Sequence, residues 1–526
     1  MLLLRAATLL ALFASLGYAD RCLAHENVFT PLDVAAGDAL GWSLALDGAV
    51  AVVGTPFHAG TGAAYVYRQG ASGAWQQEAK LVAADGGPND FFGQSVGVSG
   101  DSIVVGAYQA DEGASNAGAA YVFEFTAGSW NQAQKLTASI PDVSGFFGSA
   151  VAIEGDTLAV GAHRVDGTTP DEGAVYVFER TGSIWNETQK LSASDATQFQ
   201  LFGRAVALSG DVLVAGAHLD ASAGNASGAA YVFARSGGTW SETQKLVASD
   251  ASAGDRFGFA VDVDGARLVV GAYEDDSSGS EVGSVYVFDL VGGVWTEVEE
   301  LSPSDGLALD AFGRSLALSG DTLVVGAAQH DAAASEGGAG YVFRFDGVSF
   351  VQEDKLGEGV GANARLGFAV ATSASEVLLS AIGGAAETGG LHTWRVGITF
   401  DPLGTGTAGS GGLTPALGTG DCFALAIPGT LRIENALGGT IGAIVIGNTL
   451  TFLPVFGGVL YTQPINTIPI TFSGPAGLPG AGVFELAITL VPTPPAGVTF
   501  VMQAGVFDAS AVSSIALTNA GRMQFL

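Results

Sequence analysis

Residues 202–217 of the chain read FGRAVALSGDVLVAGA, two short apolar segments joined by a tight turn at Ser209-Gly210-Asp211. The second segment is apolar on both faces, which is typical of an inner strand of a sheet. Further on, residues 229–233 read AAYVF and residues 240–246 read WSETQKL. In the last run Trp240 and Leu246 share one face with Glu242 and Gln244, because side chains alternate along a strand. Residues 202–246 therefore predict four antiparallel strands.

The same pattern recurs along most of the chain. An apolar or aromatic residue, a glycine, any residue and then Ser or Ala come in that order, with the glycine at positions 41, 93, 148, 203, 258, 313 and 367. The successive spacings are 52, 55, 55, 55, 55 and 54 residues. Four-stranded sheets that cannot bury both faces alone stack radially. We therefore predict an all-β fold with a seven-bladed β-propeller of four-stranded antiparallel blades over residues 25–396.

The seventh repeat lacks a fourth strand of its own. Its third strand is expected near Leu391, and no Trp-x4-Lys-Leu run follows. Near the N-terminus, Asp33 precedes Gly41 by eight residues, and an aspartate stands at the same offset in four other repeats (Asp85, Asp195, Asp250 and Asp305). Phe29 then corresponds to Leu246 of the fourth repeat. The N-terminal strand is therefore predicted to complete the last blade and close the ring, which removes the edge strands.

The extreme N-terminus has the composition of a secretory signal peptide. One arginine precedes an apolar run that ends in small residues, so residues 1–24 are predicted to contain a signal peptide. Cleavage is expected after Ala19 or after Ala24. The two cysteines are Cys22 and Cys422, and only cleavage after Ala19 would leave both for a disulfide. The apolar run is short for a membrane span and no later run reaches about 20 residues. We expect a secreted, extracellular protein, with attachment to the cell surface as an open alternative.

The charge balance narrows the choice of partners. The net charge is −32, from 20 Lys+Arg against 52 Asp+Glu. Such a surface repels phosphate backbones and anionic lipids, so nucleic acid is excluded, while basic proteins, neutral glycans and cations remain. The recurrent lysines of the fourth strands are predicted to face solvent as solubility and edge-protecting groups (Lys80, Lys135, Lys190, Lys245 and Lys355).

These repeats resemble the FG-GAP family, the repeat of integrin α-subunit propellers and of many bacterial secreted proteins. The resemblance rests on the Phe-Gly pairs and on the later Val-Gly-Ala, as at Val270-Gly271-Ala272, and covers about residues 25–396. It implies an extracellular binding or adhesion role. Integrin-type repeats place an Asp-x-Asp-x-Asp-Gly calcium loop between the first two strands, but here that connection is a tight turn, as in the shorter bacterial variant. The nearest remnant, Asp262 and Asp264, offers fewer oxygens than calcium prefers. No cofactor is therefore required, and calcium stays open.

Two sets of long acidic connections share one rim, because strand order places the fourth-to-first and second-to-third loops on the same side. Loops on a rigid scaffold commonly carry binding, so we predict a ligand surface there. Its candidate residues lie 15 to 18 positions after the repeat glycines: Tyr108, Asp111, His163, Asp166, His218, Asp220, Tyr273, Asp276 and Asp331. The alternative is that these aspartates cap turns and keep the rim soluble. His163 and His218 alone make a weak metal site.

The motifs favour binding over catalysis. The sequence has no His-Glu-x-x-His, Gly-x-Ser-x-Gly or phosphate-loop pattern. The predicted function is an extracellular binding or adhesion protein that engages a glycan or a protein through its acidic rim. The alternatives are a secreted hydrolase or lyase acting on polysaccharide, which would use carboxylates at the channel mouth, and a structural component of a cell surface.

A second region begins near Gly397. Residues 397–526 carry only seven charged side chains and begin with a Gly-rich linker at 404–412. Apolar runs broken by Pro and Gly follow, such as 441–446, and predict a C-terminal β-sandwich-like module.

Overall fold

The computed structural model describes residues 23–70, 74–331, 336–357, 361–383 and 389–396, together with the strands given below beyond residue 424. Cys22, Cys422 and the predicted signal peptide (1–22 in particular) lie outside the described residues. Contacts group residues 25–70 and 74–394 into one compact unit, and residues 395–526 belong to another.

The first unit is a β-propeller with seven four-stranded antiparallel sheets, which confirms the predicted fold class. The strands of the first six blades follow one another along the chain. They are β2 (Ser43–Asp47), β3 (Val50–Thr55), β4 (Ala63–Gln69) and β5 (Trp75–Leu81) in blade 1; β6 (Phe92–Ser99), β7 (Ser102–Ala107), β8 (Ala119–Thr126) and β9 (Ser129–Leu136) in blade 2; β10 (Phe147–Glu154), β11 (Thr157–Ala162), β12 (Ala174–Thr181) and β13 (Ile184–Leu191) in blade 3; β14 (Ala205–Ser209), β15 (Val212–Ala217), β16 (Ala229–Ser236) and β17 (Thr239–Leu246) in blade 4; β18 (Ala260–Asp264), β19 (Arg267–Ala272), β20 (Ser284–Val291) and β21 (Val294–Leu301) in blade 5; and β22 (Phe312–Ser319), β23 (Thr322–Ala327), β24 (Ala339–Phe345) and β25 (Phe350–Leu356) in blade 6.

Blade 7 is assembled from both ends of this unit. Its sheet contains β26 (Leu366–Thr372), β27 (Glu376–Ala381) and β28 (Gly390–Val396), and the N-terminal strand β1 (Leu23–Phe29) pairs with β28 as the fourth strand. The first strands of blades 1 and 7 contact each other, so the ring is closed. A short 3₁₀ turn, His58–Gly60, lies in the second-to-third loop of blade 1.

The Phe that precedes the repeated glycine in blades 2 to 6 is part of the core. Phe202 packs edge-on against Tyr231 of the third strand, with ring centroids 5.5 Å apart, and both rings are fully buried. Four further blades repeat this contact (Phe92–Tyr121, Phe147–Tyr176, Phe257–Tyr286 and Phe312–Tyr341). Edge-to-face aromatic pairs of this kind stabilise a core beyond the area they bury.

Glycines let adjacent blades approach backbone to backbone. A Cβ at Gly216 of blade 4 would lie 1.9 Å from the carbonyl oxygen of Gly258 in blade 5, and one at Gly258 would lie 2.2 Å from the carbonyl oxygen of Ala229. Gly258 also has a φ of +87°, which residues with a Cβ rarely adopt. The spacing of these two glycines therefore sets how closely the blades pack around the axis.

Next to this contact, the first strand contains a bulge. In blade 3 the register with the second strand shifts between Phe147 and Ala150, and the corresponding shift lies between Phe312 and Ser315 in blade 6. A bulge bends a strand and re-aims a side chain. The residue that follows the repeated glycine consequently lines the central channel.

The strands of the second unit lie at β29 (Leu425–Ala426), β30 (Thr430–Ala436), β31 (Ile441–Gly447), β32 (Leu453–Val455), β33 (Gly458–Leu460), β34 (Asn466–Thr471), β35 (Gly482–Ala487), β36 (Thr499–Phe507) and β37 (Ile515–Gln524). They form sheets with the orders β29-β30-β35, β34-β31-β36-β37 and β32-β33. The Gly-rich linker lies outside the described residues, and the β-sandwich-like packing of this module stays a prediction.

The blade contact predicts a large difference between two glycine substitutions. Gly258→Ala should lower the free energy of unfolding by more than about 3 kcal/mol, because its Cβ would collide with backbone. Gly265→Ala should cost only about 1 kcal/mol, since Gly265 has a similarly positive φ but nothing within 4 Å of its Cβ. Urea unfolding followed by circular dichroism measures both. Equal losses would mean that φ, and not the blade contact, sets the cost.

Candidate functional site

The first aspartate of the long acidic loops fixes the outer part of the blade. In blade 4, Asp195 accepts hydrogen bonds from the Tyr231 hydroxyl at 2.7 Å and from Lys245 Nζ at 2.7 Å. Tyrosine donates in the same way to Asp33, Asp250 and Asp305. In blade 1 the hydrogen bond from Lys80 holds the pKa of Asp33 below its usual value. These carboxylates are thus engaged within the fold.

The lysines of the fourth strands correct a sequence-based prediction. Lys245 Nζ lies 5.1 Å from the centroid of the Tyr231 ring and 3.0 Å from the buried Asp220, and only 20% of its side chain is exposed. Lys80, Lys135, Lys190 and Lys355 lie over the equivalent tyrosines. The prediction that these lysines face solvent holds for Lys80 and Lys190, which are exposed, and is wrong for Lys135, Lys245 and Lys355, which are half-buried. A cation–π contact, and in four of the five blades a carboxylate as well, hold the ammonium group against the blade.

The second aspartate of these loops caps a turn. The Asp255 carboxylate accepts the backbone N–H of Ser252 at 2.5 Å, and Asp90 accepts that of Gly87 at 2.7 Å. Asp310 accepts the N–H of Leu307 at 2.6 Å, and His330 Nδ1 lies 2.7 Å from the same carboxylate. Aspartate commonly stabilises turns through such bonds.

Most of the predicted rim aspartates are likewise bound to their own loops. Asp111 accepts the N–H of Asn116 and Asp166 accepts that of Asp171, both at 2.8 Å. Asp331 makes the same bond to the N–H of Glu336, while Asp220 is buried and accepts from Ser222 and Lys245. Asp276 is exposed. Within the described parts of the chain, no three His, Cys, Asp or Glu side chains are grouped to hold a metal.

The two weak calcium candidates link blades 5 and 6. Asp262 accepts the N–H of Leu318 at 2.7 Å, and Asp264 accepts that of Gly320 at 2.7 Å. Burial raises the pKa of Asp262 to about 6. Both carboxylates thus have a structural use in the absence of an ion, and calcium binding stays a prediction.

The predicted aromatic and histidine positions, in contrast, lie in two groups at the mouth of the channel. One group runs from Phe368 through Trp42, Phe57, Phe91, Tyr108 and Phe146 to His163, with successive ring centroids 4.9 to 5.7 Å apart. In the other group Phe259 contacts both His218, at 5.3 Å, and Tyr273, at 4.4 Å. The structure therefore brings Tyr108 together with His163, and His218 together with Tyr273.

Left-handed backbone conformations position part of this rim. The residue two before each repeated glycine has a positive φ in all seven blades, although none of the seven is glycine: Ala39, Phe91, Phe146, Leu201, Arg256, Ala311 and Arg365. Such conformations cost of order 1 kcal/mol each and concentrate at binding sites. Here they direct Phe91 against Tyr108 and place the Arg256 guanidinium 5.8 Å from the Tyr273 centroid.

The residues that follow the repeated glycines form the inner ring of the mouth. One comes from each blade: Trp42, Gln94, Ser149, Arg204, Phe259, Arg314 and Phe368. They line a cavity of about 250 Å³. This position is the unspecified one of the repeat, so the blades differ there although their neighbouring residues are alike.

Arg204 and Arg314 stand out in this ring. Their guanidinium carbons lie 4.6 Å and 5.6 Å from the centroid of the same ring, Phe259, and Arg314 also lies 4.7 Å from that of Phe368. Both side chains are half-buried. Among the side chains that the structure describes, no carboxylate lies within 4 Å of either arginine.

Burial disfavours the charged form of the Arg204 and Arg314 guanidinium groups. It lowers the pKa of Arg204 to about 10, with a further contribution from Arg314, and it lowers the pKa of Arg314 as well. Burial and Arg204 also lower the pKa of His218 to about 3, so that imidazole is neutral. His218 Nδ1 is buried and has no hydrogen-bond partner among the described residues. The channel mouth is thus cationic in a protein of net charge −32.

Sequence reasoning missed Arg204 and Arg314. The predicted site was built from positions that the repeats share, whereas these two arginines follow the repeated glycine, at a position that has no consensus residue. The usable signal was the choice of large or cationic residues at that position, directly after a glycine that the fold places at the axis.

The FG-GAP repeat family matches residues 24–67, 75–123, 130–178, 185–233, 240–288 and 295–343, more than half of the chain. The protein defined by this fold and these repeats belongs to the FG-GAP repeat family. Each match starts near the fourth strand of one blade and ends within the third strand of the next. FG-GAP propellers are generally non-catalytic binding scaffolds and are typical of extracellular proteins.

Other comparisons are less specific. No curated protein matches the sequence. Among solved structures, a chain of the mitotic checkpoint complex has a TM-score of 0.44 at 13% identity, covering 71% of this chain and 94% of that one. A candidate 6-phosphogluconolactonase from Bacteroides uniformis has a TM-score of 0.43 at 13% identity, covering 61% and 86%. No helix in the described part of the chain is long and apolar enough to cross a membrane.

The half-buried Asp262 predicts a pH effect on stability. Its folded-state pKa of about 6 lies above the ordinary value of 3.8, so its contribution to stability is complete below pH 4 and is lost as the pH rises through 6. The equivalent residue in blade 4 is Ala207. Asp262→Ala should therefore become less harmful, relative to wild type, by up to about 3 kcal/mol between pH 4 and pH 7.5. Urea unfolding at both pH values measures the difference.

The isosteric variant Asp262→Asn serves as the control for packing. It should show the same change relative to wild type as the alanine variant, because both lack the ionisable group. If the difference in unfolding free energy between wild type and each variant were the same at pH 4 and at pH 7.5, the raised pKa of Asp262 would be contradicted.

Proposed function

We propose that this FG-GAP propeller is a secreted binding protein that engages a protein partner through the loop-rich rim around its channel mouth. The observation that carries the proposal is the row of half-exposed aromatic side chains from Phe368 to His163. Exposed Tyr, Trp and Phe that cluster on a rigid frame are typical of interface hot spots. The N-terminal signal-peptide pattern supports export.

Charge favours a protein over an acidic polysaccharide. A net charge of −32 repels polyanions and attracts partners with a basic surface. Exposed acidic groups on the rim, such as Asp276, would meet the basic surface, and the aromatic row would supply the apolar contact. The glycan alternative is retained as an outcome of the test.

A binding role is also more compatible with the chemistry of the rim than hydrolysis. General acid–base catalysis needs a carboxyl group that is free to exchange a proton with substrate. Asp111, Asp166, Asp220 and Asp331 instead accept hydrogen bonds from their own loops. They are therefore suited to hold the rim in one conformation.

The proposal predicts that binding depends on Phe57, which is 40% exposed between Trp42 and Phe91. The full chain should bind one or more members of a panel of extracellular proteins and glycans, tested with calcium and with chelator. Phe57→Ser should weaken binding to a protein hit at least tenfold, because it removes a central aromatic contact. Calcium should have no effect, since Asp262 and Asp264 are engaged by backbone N–H groups.

The matched control is Val294→Ser, which removes an apolar side chain of similar exposure (55%) from a hairpin on the opposite rim. It should leave binding within twofold of wild type. Binding to glycans alone would overturn the protein assignment. Loss of binding in Val294→Ser but not in Phe57→Ser would move the site to the opposite rim.

A further inference from the structure

The arginines at the channel mouth differ from the other arginines of the propeller. Each other half-buried arginine that the structure describes pairs with a carboxylate. Examples are Arg180 with Asp156 at 2.6 Å, Arg235 with Asp211 at 2.8 Å and Arg267 with Asp289 at 2.8 Å. Arg256, at the mouth itself, pairs with Glu274 at 2.6 Å. Among the half-buried arginines of the described residues, only Arg204 and Arg314 thus lack a carboxylate within 4 Å, in a chain with 52 acidic residues.

The two unpaired charges are close to each other. Because both distances are measured to the Phe259 centroid, the guanidinium carbons of Arg204 and Arg314 are at most about 10 Å apart, the sum of those distances. Like charges at this separation repel, and the repulsion is larger where protein replaces water. Burying a charge without a counter-ion is also costly. The folded protein therefore carries an electrostatic cost that an anion between the arginines would relieve.

The surroundings suit a single anionic group on a larger ligand. The cavity is about 250 Å³, and its lining includes Phe259, Phe368 and Trp42 beside the two arginines. Guanidinium groups bind carboxylates with two parallel hydrogen bonds, and the aromatic rings on which they lie keep them in place. The neutral His218, which contacts Phe259, has a buried ring nitrogen without a partner.

We propose that the channel mouth is a carboxylate-binding site, in which an aspartate or glutamate side chain of the protein partner inserts between Arg204 and Arg314. This inference rests on the proposed function and adds the chemical group that is recognised. The acidic body of the propeller selects a basic partner surface, and the cationic mouth selects one acidic residue within it. The partner would therefore show the reverse pattern, an acidic side chain surrounded by basic ones.

The test uses the full chain and a defined probe. N-acetyl-aspartate N-methylamide carries one carboxylate, and N-acetyl-asparagine N-methylamide is its neutral counterpart. Isothermal titration and NMR of the arginine Nε–H groups should show binding of the aspartate compound only. Arg204→Gln and Arg314→Gln should each weaken it roughly tenfold or more, since each removes a charge-assisted hydrogen bond. The double variant should show no binding.

Arg164→Gln is the matched control. Arg164 belongs to the same rim, is exposed, and lies over Phe146 outside the cavity, so its loss removes the same charge and should leave the affinity within twofold. The variants at 204 and 314 should melt at the same or a higher temperature than wild type, because a half-buried charge without a carboxylate partner is removed. A lower melting temperature would show that these arginines are structural and would contradict the proposal.

Several results would overturn the inference. Equal binding of the asparagine compound, or unchanged affinity in the double variant, would exclude carboxylate recognition. Stronger binding of methyl glucuronide than of the aspartate compound would assign the site to a uronic acid and not to a protein. If a protein partner binds through Phe57 but is unaffected by the double variant, the proposed function stands and this inference fails. If the aspartate compound binds but no protein partner is found, the site stands and the proposed partner class fails.

Discussion

The propeller depends on the backbone contact between a glycine in the second strand of one blade and the glycine that begins the next. Gly216 and Gly258 illustrate it, since a Cβ on the first would overlap the carbonyl oxygen of the second. Every neighbouring feature follows from this approach. The repeated Phe fills the space beside it, and the first strand bulges next to it, so the following side chain faces the axis. The spacing of the glycines therefore determines the fold. It also places one side chain from each of the seven blades, the one that follows the repeated glycine, at the channel mouth.

Blade 7 shows what happens where the contact is altered. Ser380 stands where the other blades have the second-strand glycine, and a Cβ on Gly41 of blade 1 would lie 2.4 Å from its Cβ. Ser380 is completely buried, and its hydroxyl group bonds to the backbone of Ala369 in its own blade. Between blades 7 and 1 a small polar side chain, Ser380, thus occupies the position of the glycine, and β1 forms the outer strand of blade 7.

Much of this architecture could be predicted from the sequence because its determinants repeat. Seven glycines at a nearly constant spacing can only be explained by seven equal structural units, and alternation along residues 240–246 identifies the outer strand. The roles of the charged residues could not be predicted in this way. Asp195 and Lys245 recur like surface residues, but they meet the Tyr231 hydroxyl group and its ring, a contact that only the folding of the loop over the blade creates. Arg204 was missed for the opposite reason, because its position has no consensus.

This contrast explains where specificity can arise in a repeat protein. Residues that hold a blade together recur in most of the blades, since each blade meets similar neighbours. The aspartates that cap the loops are of this kind, and they are poor candidates for selecting one ligand. The residue after the repeated glycine faces the axis and has no consensus, so the seven positions differ from blade to blade. A combination of two arginines, three large aromatics, one amide and one hydroxyl group at a single mouth is an arrangement that blade packing does not require. This position is therefore where the propeller can differ from its relatives in what it recognises.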